Sequence, residues 1–156
     1  MRKILCLVLT AVMLAVGAGC SSNVSNKTDK TAGELLSVVL DSVQFPQLLE
    51  LTDEERITDE LGIDLSLVED YAIMQQMLSV DVSEVIILIA VGGAAEELKS
   101  VLEKRKESLI NDFAFYPNQV ASAEGTQVGS VLNVVYLICH EEAGVAEDEL
   151  LAAVNN

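Results

Sequence analysis

Tryptophan is absent from the 156 residues, proline occurs twice and histidine once. One histidine excludes the usual multi-histidine metal centres, which draw on several His or Cys ligands. Cysteine is scarce as well: Cys6, Cys20 and Cys139. If Cys6 leaves with a signal segment and Cys20 is modified, Cys139 stands alone and no intramolecular disulfide can form. Basic residues number 9 against 25 acidic ones, a formal charge of −16. Such a surface repels nucleic acid and anionic lipid, so no nucleic-acid partner is expected. The apolar run at residues 4–16 is shorter than the roughly 20 residues of a permanent membrane span.

That N-terminal run is nevertheless the most informative stretch present. Residues 1–20 read MRKILCLVLTAVMLAVGAGC: two basic residues, an apolar run broken only by Thr10, three small residues, then a cysteine. The pattern resembles a bacterial lipoprotein signal over residues 1–19, with Cys20 lipidated as the first mature residue. Gly17 stands where such signals normally carry Leu. One acyl chain binds a membrane marginally, whereas two or more hold firmly, at roughly 0.8 kcal/mol per buried methylene. The expected location is the extracytoplasmic face of the cell membrane, held through the N-terminal lipid. The alternative is an ordinary secretory signal cut near Gly17 or Gly19, releasing a soluble chain. Without Arg2 and Lys3, 7 basic residues face 25 acidic ones, a mature charge of about −18. Residues 21–30, SSNVSNKTDK, read as a flexible tether, in which Lys27 and Lys30 either touch lipid head groups or are simply solvated.

Residues 31–156 read as one domain. Thr31-Ala-Gly-Glu34 matches a capping box and opens a helix over Ala32–Ser42. Thr52-Asp-Glu-Glu55 predicts a second box and a helix to Leu61, ended by Gly62. The acidic run 53–64 lacks the central glycine and alternating ligands of a calcium loop, so capping is the expected role of its carboxylates. Residues 71–79 predict a strand, in which Gln75 and Gln76 interrupt apolar residues. Residues 84–91, EVIILIAV, predict a central strand covered on both faces. Gly92-Gly93 lacks the further glycines of a phosphate loop and reads as a tight connection to a helix over 94–112. Residues 118–123 predict a helical turn, 126–130 a short edge strand weakened by Gly129, 132–139 a second doubly apolar strand and 147–154 a last helix.

On the 94–112 helix, Leu98, Val101, Leu102, Leu109 and Phe113 form one stripe, and Arg105 projects into its middle. A guanidinium among apolar neighbours needs a carboxylate, carbonyls or a ligand. Either it pairs with a carboxylate such as Glu84, or its stem packs while its head reaches water, or it contacts a ligand. The aromatic run FAFYP places Tyr116 just beyond the helix as a second candidate ligand contact. Cys139 and His140 are adjacent, so within a strand they point to opposite faces and cannot act as nucleophile and base. A buried core thiol is the expected role of Cys139.

The order of these elements resembles the bacterial family called domain of unknown function 4358, found in chains with lipoprotein-type signals. The matching features are Leu61-Gly-Ile-Asp64, Glu84 opening an apolar strand, Leu102-x-x-Arg105, and Tyr116-Pro117 followed by Gln119. Relatives often carry a Lys just after the central strand, where this chain has Gly92 and Gly93, so a ligand role for that Lys has no counterpart here. The resemblance supports the address and the domain boundaries and supplies no reaction.

The expected fold is α+β: a four-stranded, mainly antiparallel sheet with a ββαββ core. Numbering the expected strands in chain order, the sheet should run 1-2-4-3. The 94–112 helix should cover one face and the N-terminal helices the other. The expected function is a lipid-anchored binding or interaction module at the cell envelope, whose partner is an envelope protein or small ligand and which uses no cofactor. The competing reading is an envelope enzyme with two converging carboxylates of separated pKa. A weaker third is low-affinity divalent-cation binding by the acidic surface.

Overall fold

A computed structural model describes residues 27–76 and 81–156. The expected signal, the expected lipidation site Cys20, most of the tether and the last residues of the 71–79 strand lie outside the described residues.

Five strands form one antiparallel sheet in the order β1-β2-β3-β5-β4. They are β1 (Leu48–Glu50), β2 (Val68–Gln76), β3 (Glu84–Ala90), β4 (Gln127–Val131) and β5 (Val134–Cys139). The expected count of four, and with it the full order, is therefore corrected by β1 on the outer edge of β2. Its three residues carry no alternation for a sequence reading to detect. The backbone of β2 supplies the pairing, through Leu48 opposite Gln76 and Glu50 opposite Met74. The remaining strands lie β2-β3-β5-β4.

β3, apolar after Glu84, and the apolar β5 occupy the middle of the sheet and are buried along their whole length. Alternation sends their residues to two cores. Ile86, Leu88, Val135, Leu137 and Cys139 meet α2 (Glu54–Leu61) and α3 (Ala95–Ser108) through Ile57, Leu98 and Leu102. Val85, Ile87, Tyr136 and Ile138 meet α1 (Ala32–Ser42) and α5 (Ala143–Val154) through Leu35, Val39, Ala146 and Leu150. The helices are thus sorted differently from the expectation, since α2 shares a face with α3 and α5 joins α1. Each fully buried Leu or Ile contributes about 1.5–3 kcal/mol, so these two layers dominate the stability.

Local signals act as their chemistry dictates. Thr31 Oγ1 accepts from Glu34 N–H at 3.2 Å and Glu34 Oε2 accepts from Thr31 N–H at 2.8 Å, completing the first capping box. The second cap sits one residue later than expected. Asp53 Oδ1 accepts from the N–H groups of Glu55 and Arg56 at 3.1 and 3.2 Å, so α2 begins at Glu54. A carboxylate is a stronger acceptor than the Thr52 hydroxyl and also complements the helix dipole. Gly62 ends α2 in the left-handed conformation, φ 70°. The expected helical turn at 118–123 is a longer helix, α4 (Pro117–Gly125), with proline in its first turn.

The N-terminal segment is docked where a free tether was expected. Thr28 N–H donates to Asn133 Oδ1 at 2.8 Å, Lys30 Nζ donates to the Ala153 carbonyl at 2.6 Å, and Ala32 N–H donates to Asp70 Oδ2 at 2.7 Å. Lys27 forms an ion pair with Glu69 at 2.5 Å.

Candidate functional site

Glu84 opens β3, opposite Gln75 of β2 on one side and Cys139 of β5 on the other. Its parity directs the side chain to the face covered by α2 and α3. Arg105, on the inward side of α3, reaches down to it. The guanidinium Nε and Nη2 both lie 2.9 Å from Glu84 Oε2, and the two side chains are 13% and 2% exposed. Gln75 Nε2 donates to the other carboxylate oxygen at 3.0 Å. The carboxylate thus accepts from Arg105 Nε and Gln75 Nε2, with the Nη2 end of the guanidinium beside it, in a nearly dry position. A charge buried there is tolerated because it is paired and hydrogen-bonded.

A local irregularity of α3 completes the arrangement. The helix passes into a π-helical turn over Leu109–Phe113. At about 100° per residue, Phe113 would lie about 80° round the helix from Arg105, eight residues earlier. A π turn advances less per residue and brings the ring back towards the arginine. The guanidinium carbon stands 5.0 Å from the Phe113 ring centroid, within cation–π range. Such insertions recur at functional sites.

These groups line a cleft of about 360 Å³. Its opposite wall is α2, where Arg56 holds Glu60 through Nε and Nη2 at 2.9 Å each. That bidentate bond lowers the Glu60 pKa and raises that of Arg56. Gln76 also lines the cleft, and its buried Oε1 has no hydrogen-bond partner among the described residues. Phe113 is 42% exposed at the rim.

Tyr116 does not join this group. It is 60% exposed at the N-terminus of α4, and its N–H, like that of Phe115, donates to Gln119 Oε1. Cys20 lies outside the described residues. Sequence reasoning missed Gln75, Gln76, Arg56 and Glu60 as neighbours of Arg105. The paired glutamines interrupting an apolar strand were the available signal, but nothing in sequence placed α2 across from them.

A second hollow, about 320 Å³, lies between the Gln44–Pro46 segment, residues 81–83, the start of α4 and His140. His140 Nδ1 accepts from Glu142 N–H at 3.0 Å, which leaves Nε2 to carry the proton and donate to the Gln44 carbonyl at 3.2 Å. Its ring packs on Phe45 at 4.6 Å. Cys139 is fully buried, with Sγ 3.7 Å from the Ser122 carbonyl oxygen, and burial pushes its thiol up to about 11. The thiol belongs to the core and the imidazole is held by backbone groups. Among the described residues no three His, Cys, Asp or Glu side chains gather into a metal site, and no helix is long and apolar enough to cross a membrane.

The family model described as domain of unknown function DUF4358 matches residues 41–140. No curated protein and no solved structure matches the chain.

Proposed function

The chain belongs to the DUF4358 family, and from that premise we propose that it is a lipid-anchored binding module on the extracytoplasmic face of the cell envelope. The anchor is argued from the run ending in Gly17-Ala18-Gly19-Cys20. The binding role is argued from the cleft. Its carrying observation is Arg105, fixed at 2.9 Å by a buried Glu84 and flanked by a half-exposed aromatic ring.

Glu84 neutralises the arginine but engages one edge of the guanidinium, so further N–H donors remain for a ligand oxygen. A neutral pair favours a carbonyl over a full anion, because an anion would also meet the Glu84 charge. Phe113 adds a flat apolar surface. The ligand class is therefore a small peptide-like molecule that presents a carbonyl to Arg105 and an apolar side group to Phe113. The enzyme reading is disfavoured because Glu84 and Glu60 are each engaged by their own arginine. Acid–base catalysis by two carboxylates needs one of them kept as an acid.

Two measurements test the reading. Cys20→Ala should abolish the acyl mass and move the protein out of the membrane fraction, whereas an unmodified wild-type N-terminus refutes the anchor. Titration with N-acetyl-phenylalanine amide, followed by amide NMR, should shift Gln75, Glu84 and Arg105. An unperturbed cleft at millimolar probe refutes the ligand class.

A further inference from the structure

We infer that the docked N-terminal segment orients the domain on the membrane, with the Gly92-Gly93 turn and the Leu132 hairpin tip facing the bilayer and the Arg105 cleft facing away. The inference rests on lipidation of Cys20.

The argument begins with chain length. Lys27 is only seven residues beyond Cys20, a reach of at most about 25 Å when fully extended. Three residues more would have been free had the tether run to Lys30, but Thr28, Lys30 and Ala32 are all bonded to the folded domain. The chain therefore leaves the domain at one defined point, beside Asn133.

That point lies at one end of the sheet. Ala90 N–H donates to the Asn133 carbonyl at 2.7 Å, joining the end of β3 to the β4–β5 turn. The Arg105 cleft is built on Glu84, at the other end of β3. Six residues of strand separate the two ends, about 20 Å. A short lead attached at the first end holds that end down and presents the other to the extracytoplasmic space.

The surface at the lower end offers a hollow and one exposed large apolar side chain, Leu132. A hollow of about 550 Å³ there is lined by Ala90, Gly92, Gly93, Ala95, Leu132 and Asn133 together with Lys27, and no carboxylate lines it. Exposed carboxylates flank it, Glu69 paired with Lys27 and Glu96 next to Ala95, so the face suits zwitterionic rather than anionic lipid. Leu132 is 41% exposed at the hairpin tip in left-handed backbone, φ 54°. Leucine is strained in that conformation and gains nothing from water. Contact with the interfacial region of a bilayer gives its side chain an apolar environment.

Energy transfer to a lipid-phase acceptor tests the orientation on the full lipidated chain reconstituted into phosphatidylcholine vesicles. Leu132→Cys and Glu141→Cys each place one dye on an exposed residue, at opposite ends of β5. Cys139 is buried and stays unlabelled. The dye at 132 should transfer strongly, and the dye at 141 should read about 20 Å further from the lipid. Equal or reversed distances on vesicle-bound protein overturn the orientation and leave the anchor standing. Protein that carries no acyl mass and stays off the vesicles overturns the anchor, and the orientation with it.

Discussion

Removing Arg105 strands Glu84. In Arg105→Ala the carboxylate keeps Gln75 as a donor but loses the Nε hydrogen bond and the guanidinium charge beside it, in a site where its side chain is 2% exposed. Breaking a buried pair from one side costs about 3–5 kcal/mol. The 13% exposure of Arg105 lets some water reach the vacated space, which argues for the lower end, about 3 kcal/mol. At about 2.1 cal/mol/K per residue over about 130 residues, the unfolding entropy is about 0.27 kcal/mol/K, so Tm should fall by about 11 °C. Calorimetry of the soluble domain reads this directly. The double variant Glu84→Gln with Arg105→Met removes both charges and keeps the volume, and should recover most of the loss, because much of the single-variant penalty is the unpaired charge. A Tm drop of only about 4 °C, equivalent to about 1 kcal/mol, would show the pair to be screened like a surface bridge. A double variant less stable than Arg105→Ala would show that the two residues are held for their bonds rather than for mutual neutralisation.

Gly129 faces the Tyr136 ring across the β4–β5 pair. A Cβ there would stand 2.5 Å from the ring carbon Cζ, and closer still to the hydroxyl. Gly129→Ala should therefore cost about 1–3 kcal/mol or more by overpacking, with the loss of the 2.6 Å bond from the Tyr136 hydroxyl to Glu147 visible as a change in tyrosine fluorescence. For Cys139, burial pushes the thiol up to about 11, above the unfolded value of about 8.5. The folded state then keeps a proton that the unfolded chain has lost. Stability should be unaffected below about pH 8.5 and decline as pH rises towards 11, the slope being shallower in Cys139→Val; a thiol that reacts rapidly with Ellman's reagent at pH 8 without denaturant would contradict the burial. Asn133→Ala removes the acceptor of Thr28 N–H and should speed hydrogen exchange at Thr28 while leaving Leu98 and Leu102 protected. Unchanged exchange at Thr28 would mean that the segment is held by other contacts.

The amino-acid order alone determined what depends on near neighbours. Capping residues announced α1 and, to within one residue, α2. Apolar β-branched runs announced β3 and β5 as the doubly covered strands, because burial on both faces demands it of their own side chains. The isolated Arg105 among leucines announced a need for a partner, and Glu84 was a candidate because it heads the strand that α3 follows. What only the tertiary structure decided comes from distant segments meeting. β1 is a strand because β2 has a free edge, α2 lines the cleft because Ile57 shares a core with Leu98 and Leu102, and Phe113 faces Arg105 because α3 widens at its end. Thr28 is docked because Asn133, 105 residues away, offers a side-chain oxygen. Periodicity and composition carry no information on such pairings, since each is fixed by the geometry of a surface that exists only after the sheet has formed.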